Sequence, residues 1–192
     1  MVHTIAATSK VFSFSEALSS HSAMLRVVMA SKIMSDKTDR RSPLPEKQIA
    51  ALCFRHVAGD DEPIQVLLIT SRDTRRWIIP KGWSMPKKRP HEVARLEAWE
   101  EAGVRGFVRK KPYGYYTYRK RLDDEISKLL IVQVHLLSVL ELDRVFPEKD
   151  ERELRWFSPA AAAAAVEEPD LKLLIANVRD FAIEFVSAKL EW

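Results

Sequence analysis

The sequence lacks the features that would place it outside the ordinary globular domains. Cysteine occurs once in 192 residues, as Cys53 in an apolar run, so an internal disulfide is excluded and a reducing, cytoplasmic setting is favoured. No apolar run approaches the ~20 residues that a membrane-spanning helix needs, which argues against a membrane protein. The chain is 46% hydrophobic and 30% charged, which is sufficient for one domain with a hydrophobic core.

Acidic residues are scarce in the first 41 positions, where serine is abundant and only Glu16, Asp36 and Asp39 carry negative charge. This composition predicts a poorly ordered N-terminal tail over residues 1–41, and it also matches the profile of an organellar targeting segment. Ser42-Pro43-Leu44-Pro45 marks the boundary, because proline-rich segments interrupt regular structure. A single domain is therefore expected over residues 42–192.

A modest excess of positive charge, +4 with a pI near 9.2, indicates anionic partners. An excess of this size fits phosphorylated small molecules as well as nucleic acid. The sequence gives no indication of the oligomeric state.

Alternating strand and helix signals predict a mixed sheet with helices on its faces. Pro90 and His91 begin a helix that Gly103 ends, and Ser158 caps a later helix that opens with Pro159. Asp170 is expected to cap the last amphipathic helix, and Asp123-Asp124 to form a turn between two antiparallel strands. The predicted strands are Gln48–His56, Ile64–Ser71, Trp77–Pro80, Gly114–Arg121, Leu129–Leu137 and Leu154–Phe157.

Three glutamates, Glu97, Glu100 and Glu101, fall on one face of the first helix, because residues three and four apart are neighbours in a helix. Crowded carboxylates need either a cation or a solvated surface. The helix also has apolar residues on two sides, with Val93 and Ala94 near the glutamates and Leu96 and Trp99 elsewhere. The glutamates are therefore expected to be partly removed from water, where protonation or metal binding would compensate their charge.

The segment from Gly82 to Val104 resembles the Nudix box, G-x5-E-x7-R-E-U-x-E-E-x-G-U, in which U is a bulky aliphatic residue. Gly82, the three glutamates, Gly103 and Val104 match, whereas Lys88 and Leu96 stand where the pattern has Glu and Arg. In the family these two residues mainly form a structural pair. Glu92 and Arg95 are candidates to restore part of that contact.

The resemblance extends from about residue 46 to residue 175. Within the family, the sequence resembles the diphosphoinositol polyphosphate phosphohydrolase branch. It implies an α/β (α+β) fold, a Nudix-like α-β-α sandwich with a mixed central sheet. The implied activity is Mg²⁺-dependent hydrolysis of a phosphoanhydride in an inositol pyrophosphate or a dinucleoside polyphosphate, with Mn²⁺ as a substitute cofactor. Alternatives are an ADP-ribose-type pyrophosphatase and a catalytically weak domain that binds nucleotide or RNA; an RNA 5′ end is a further candidate substrate.

The resemblance also implies the site residues. Glu97, Glu100, Glu101 and the Lys81 carbonyl would hold the metal, and Glu97 or Glu100 would act as the base. A downstream acid is a further candidate among Glu148, Glu151 and Glu153. The residues expected to bind the phosphorylated substrate are Lys47, Ser71, Arg72, Lys88, Arg89, Arg119 and Arg121.

Overall fold

The computed structural model describes residues 45–59, 63–121, 127–182 and 185. Within these residues the strands are β1 (Glu46–His56), β2 (Ile64–Thr70), β3 (Trp77–Ile78), β4 (Lys81–Trp83), β5 (Val104–Val108), β6 (Gly114–Arg121), β7 (Ser127–Leu142) and β8 (Leu154–Phe157). The helices are α1 (Pro90–Ala102), α2 (Pro159–Ala165) and α3 (Pro169–Ala176), and helical residues resume at 178–182. The predicted tail over residues 1–41 and the turn at Asp123-Asp124 lie outside the described residues.

The described strands form one mixed sheet in which β1 and β7 are parallel and the other pairs are antiparallel. β1 changes partner along its length, since Gln48 to Ala50 pair with β4 and Phe54 to His56 pair with β2. Between these two pairings, the Ala51 N–H donates to the carbonyl of Pro80, the residue directly before β4, at 3.0 Å. The glycine-bearing strand β4 therefore lies alongside the first half of β1.

Each face of the sheet is covered by helix, because successive side chains of a strand point to opposite faces. Leu52 and Phe54 of β1 pack with α2 and α3 on one face, whereas Ala51 and Cys53 pack with α1 on the other. The α-β-α sandwich with a mixed sheet is therefore confirmed. None of the described helices is both long enough and apolar enough to span a bilayer.

Most predicted elements are confirmed, with three corrections. The predicted strand Trp77–Pro80 is wrong in extent: β3 ends at Ile78, because Pro80 has no N–H for a ladder, and the separate strand β4 follows. The strand β5 was not predicted, and it contains a register shift between Arg105 and Gly106 that obscures its alternation. Glu168, not Asp170, is the N-cap residue of α3, since Pro169 occupies the first helical position.

Candidate active site on the carboxylate face of α1

Helix α1 is fixed at both ends by local hydrogen bonds. At its start the Glu92 carboxylate accepts the Arg89 N–H at 2.8 Å and pairs with the Arg89 guanidinium at 2.7 Å. Glu92 therefore contacts Arg89 and not Arg95, contrary to the sequence expectation. At its end Gly103 has φ of 66°, the left-handed conformation that glycine adopts without strain. The Arg89–Glu92 pair gives the loop a brace at the helix start, although Lys88 and Leu96 replace the motif's ion pair.

The predicted carboxylate face, formed by Glu97, Glu100 and Glu101, lies partly inside the protein. Glu97 and Glu101 are 8% and 6% exposed, and Glu100 is half-buried. Glu97 lies directly against β4: a Cβ added to Gly82 would be 2.0 Å from Glu97 Oε1. A larger residue at position 82 would displace this carboxylate from its place beside β4.

The carboxylates of Glu97 and Glu100 have no hydrogen-bond or ion-pair partner among the residues that the structure describes. Burial, together with the nearby charges of Glu101 and Glu100, raises the pKa of Glu97 to about 7. A buried carboxylate without a partner is costly when it is ionised. Glu97 is therefore suited either to carry a proton near neutral pH or to bind a cation.

Glu101 is part of a chain of alternating charges. Its Oε2 accepts the Lys81 N–H at 2.9 Å, and its Oε1 pairs with the buried guanidinium of Arg152. Arg152 also donates to Glu148 at 2.7 Å and to the Thr70 carbonyl at 3.0 Å. The sequence analysis named Glu148 as one of three candidate downstream acids and did not select Arg152. The structure brings both into contact with the site.

The carboxylate oxygens of Glu97, Glu100 and Glu101 are the candidate ligands for a divalent cation. In the described ranges, no three His, Cys, Asp or Glu side chains converge tightly enough to form a ready-made metal cluster. Both Glu101 oxygens are already engaged. Each oxygen nevertheless keeps a second lone pair, and Glu97 and Glu100 are unpartnered. Hard carboxylate oxygens are the ligands that Mg²⁺ prefers, so the three glutamates fit this ion in their chemistry.

Lys81 connects the carboxylate face to the opposite face of the sheet. Its ammonium lies 5.5 Å from the centre of the Tyr118 ring, and the Arg76 guanidinium lies 5.7 Å from the same ring. Burial lowers the pKa of Lys81, while the negative charges of Glu101 and Glu168 oppose that shift. We call this group, Arg76, Lys81, Tyr118 and Glu168, the Tyr118 cleft. It lies on the sheet face opposite α1 and contains two basic side chains.

An exposed aromatic residue lies next to the Tyr118 cleft. Trp83 is 43% exposed, and the Lys120 ammonium lies 5.5 Å from its ring centre. Lys120 shares a sheet face with Tyr118, whereas Arg119 faces the α1 side, because strand residues alternate. Sequence reasoning selected Arg119 and Arg121 on this strand as substrate-binding residues and did not select Trp83. The alternation in β6 was visible in the sequence, but the face that meets β4 was not.

The predicted substrate-binding residues occupy several different places. Arg72 reaches the site through Glu148 at 3.5 Å, and Ser71 bonds Thr74 at 2.7 Å. Lys47 is exposed at the start of β1 on the α1 side of the sheet. The side chain of Arg121 lies outside the described residues. The structure therefore groups only part of this set around the glutamates.

Lys88 and Arg89 lie on the face of α1 opposite the glutamates. Lys88 lines a cavity of about 560 Å³ together with Leu96 and Trp99, residues from that outer face. Arg89 is held by Glu92, as described above. The loop that carries Lys88 and Arg89 therefore flanks the helix without contacting its carboxylate face.

The first prediction concerns the pH dependence of stability. With metal chelated, the free energy of unfolding of wild type relative to Glu97→Gln should fall by about 2–3 kcal/mol as the pH rises from about 4.5 to about 7.5. The sign follows because a raised folded-state pKa makes the folded protein bind more protons than the unfolded chain in this window, so that stability is lost as Glu97 ionises. Urea denaturation in EDTA at a series of pH values measures the difference. Glu153→Gln, at a half-exposed side chain, is the control, and a constant difference for Glu97→Gln would contradict the prediction.

The fold and the site together define the Nudix architecture, and comparisons with known proteins agree. The chain superposes on Ap4A hydrolase of C. elegans with a TM-score of 0.55 at 18% identity, covering 72% of this chain and 99% of that one. It also superposes on the NUDIX domain of Shewanella oneidensis NrtR with a TM-score of 0.53 at 12% identity, covering 78% and 97%. At these identities the likeness concerns the fold alone.

Sequence comparison establishes the family. The family model of the NUDIX domain matches residues 46–178, and the chain therefore belongs to the Nudix family. It is 31% identical over 103 residues to Nudix hydrolase 13, mitochondrial, of Arabidopsis thaliana, covering 51% of each protein. It is 44% identical over 62 residues to mouse diphosphoinositol polyphosphate phosphohydrolase 3-alpha, covering 32% of this chain and 35% of that protein. The chain thus spans about half the length, or less, of these curated relatives.

Proposed function

We propose that this protein is a Mg²⁺-dependent pyrophosphohydrolase that cleaves a phosphoanhydride bond in a highly phosphorylated small molecule. The substrate class comprises inositol pyrophosphates and dinucleoside polyphosphates. The observation that carries the proposal is the pair of unpartnered carboxylates, Glu97 and Glu100, on a helix whose third glutamate, Glu101, accepts the N–H of Lys81. The names of two relatives, diphosphoinositol polyphosphate phosphohydrolase and Ap4A hydrolase, support these two substrate types.

Each group of the site has a distinct role in this proposal. Glu97, Glu100, Glu101 and the Lys81 carbonyl would hold Mg²⁺, which when bound neutralises charge on phosphate oxygens and makes water easier to deprotonate. Glu97 or Glu100 accepts a proton from the attacking water. Lys81 and Lys120 bind phosphate oxygens, and Trp83 provides a surface on which a base can stack.

The remaining residues that were predicted to bind substrate have less direct roles in this proposal. Arg72 is available to a long polyphosphate at the Glu148 end of the charge chain. Lys47 and Arg119 form an exposed basic edge of the sheet. Lys88 and Arg89 act on the substrate only through the loop that they brace, because α1 separates them from the carboxylates.

The second prediction tests the proposal with a substrate panel. Inositol pyrophosphates, dinucleoside polyphosphates, ADP-ribose and RNA 5′ ends are incubated with purified protein in Mg²⁺, in Mn²⁺ and in EDTA. At least one of the first two classes should turn over in Mg²⁺, and EDTA should reduce the rate by about a hundredfold or more, because the carboxylates alone cannot neutralise the phosphate charge. Substantial hydrolysis in EDTA would contradict the proposal, and preferential cleavage of ADP-ribose would assign the protein to the alternative enzyme class.

A second candidate function, binding without efficient catalysis, is favoured by one observation. Both Glu101 oxygens are engaged by Arg152 and Lys81, and the motif's own ion pair is missing. If no phosphoanhydride in the panel is hydrolysed while nucleotides or RNA bind, the protein is a binding module.

The cellular location is also part of the proposal. The single cysteine favours the cytoplasm, whereas the mitochondrial names of Nudix hydrolases 13 and 16 favour the organellar alternative. Microscopy of the full chain fused to a fluorescent protein at its C-terminus distinguishes the two.

A further inference from the structure

One oxygen of a buried carboxylate in the Tyr118 cleft has no hydrogen-bond partner among the described residues. Glu168 is 7% exposed, and its Oε1 pairs with Arg76 Nη1 at 3.0 Å. Its Oε2 is the only buried side-chain nitrogen or oxygen without a hydrogen-bond partner in the described part of the chain. Although Glu168 is the N-cap residue of α3, its side chain makes no capping hydrogen bond. A buried acceptor without a donor costs free energy, so this oxygen calls for a functional explanation.

Glu168 lies near the proposed reaction site. Arg76 connects it to the Tyr118 ring, Lys81 lies over the same ring, and the Lys81 N–H holds Glu101. The charges of Glu101 and Glu168 both act on the Lys81 ammonium. Glu168 and Glu101 therefore both lie near Lys81.

The charges around Glu168 disfavour a phosphate group at this point. Arg76 is shared by two carboxylates, since it also pairs with Glu167 at 3.0 Å, and the group of three carries a net negative charge. An ionised carboxylate only accepts hydrogen bonds, so it attracts a hydroxyl or N–H group and repels a phosphate. The side chain keeps 8% of its surface exposed, and the broad terminal torsion of glutamate lets the carboxylate turn toward a ligand.

We propose that Glu168 is a specificity-determining residue that accepts a hydrogen bond from a hydroxyl or N–H group of the substrate. Nucleosides carry such donors on the sugar and the base, whereas an inositol ring with a phosphate on every oxygen offers none. The site therefore favours dinucleoside polyphosphates over inositol pyrophosphates. This inference rests on the proposed function for its turnover readout, but it also makes a prediction about binding alone.

The third prediction compares Glu168→Gln and Glu168→Lys with wild type. Glu168→Gln should lower kcat/KM for a dinucleoside tetraphosphate by about tenfold, because a charged acceptor is lost, and should change kcat/KM for diphosphoinositol pentakisphosphate by less than about threefold. Glu168→Lys should invert the preference, because it adds a cation where the phosphates of the inositol ring would lie. Glu167→Gln is the matched control: it contacts the same arginine but is 67% exposed, where solvent screens its charge, so it should shift the ratio of the two kcat/KM values by much less than Glu168→Gln.

Binding without turnover separates this inference from the proposed function. In EDTA, calorimetric titration with a dinucleoside tetraphosphate and with inositol hexakisphosphate should show the same change in affinity ratio for the Glu168 variants. If the ratio shifts while no substrate is hydrolysed, the specificity role stands and the proposed enzyme activity fails. If wild type hydrolyses a phosphoanhydride but both Glu168 variants leave the affinity and kcat/KM ratios unchanged, the specificity role is overturned and the enzyme activity stands. Glu168→Gln is nearly isosteric with glutamate, so it keeps the test valid if Glu168→Lys does not fold.

Discussion

Glu100→Gln is expected to lower kcat by about a hundred- to a thousandfold, the scale observed when one group that stabilises transition-state charge is removed. Its melting temperature should stay close to that of wild type, because the Glu100 carboxylate has no hydrogen-bond or ion-pair partner among the described residues. Glutamine keeps the shape of the side chain and removes only its charge. Steady-state hydrolysis of the best panel substrate in Mg²⁺, together with a thermal melt, measures both quantities.

Two further variants give this experiment its controls. Glu153→Gln removes a carboxylate whose side chain is half-exposed and pairs with Arg155, and it should leave kcat within about twofold of wild type. Glu101→Gln should lower both kcat and stability, because Glu101 also pairs with Arg152. If Glu100→Gln and Glu101→Gln both retain wild-type kcat, the carboxylate face of α1 is not the reaction site.

Arg152→Met is expected to lower the free energy of unfolding by about 3–5 kcal/mol, the range observed when one partner of a buried ion pair is removed. The arginine side chain is 5% exposed and that of Glu101 is 7% exposed. Loss of the guanidinium leaves the Glu101 carboxylate without its ion-pair partner and the Thr70 carbonyl without this donor. Equilibrium urea denaturation at pH 7 measures the difference.

The control for Arg152→Met is Arg155→Met, at a position three residues away where the side chain is 59% exposed. An exposed ion pair contributes about 0–1 kcal/mol, so this control should be nearly neutral. The double variant Arg152→Met/Glu101→Gln should recover part of the loss, because it removes the stranded charge. A loss for Arg152→Met no larger than that for Arg155→Met would show that the buried pair does not stabilise the fold.

Local signals account for the parts of the fold that the sequence predicted. Helix α1 was bounded correctly because Pro90 suits a first helical position and Gly103 suits a left-handed end. Ser158 was identified correctly as an N-cap: its hydroxyl accepts the Ala161 N–H at 3.3 Å. These residues specify structure through their immediate neighbours, so no knowledge of the fold was needed. The short strand β4 and the bulged strand β5 escaped prediction because tertiary pairing defines them.

Local sequence patterns also predicted part of the candidate site, whereas tertiary contacts define the rest. Periodicity grouped the three glutamates and predicted their partial burial, which is confirmed for Glu97 and Glu101. The pairing of Arg152 with Glu101 joins residues 51 positions apart, and no local pattern encodes it. The glycine at position 82 was recognised from the motif, but the close approach of Glu97 to it became visible only in the coordinates. The roles of all these residues in catalysis stay predictions until the variants are measured.

The parallel pairing of β1 with β7 has a consequence for how the protein is made. Ile49 pairs with Gln133, so the two central strands are 84 positions apart (133 − 49). Such distant pairing slows folding, because the chain loses much entropy before the contact forms. During synthesis β1 must wait until the ribosome has released β7, and the intervening strands are exposed in the meantime. Helix α1 packs on this central pair, so its carboxylate face becomes complete only late in biosynthesis.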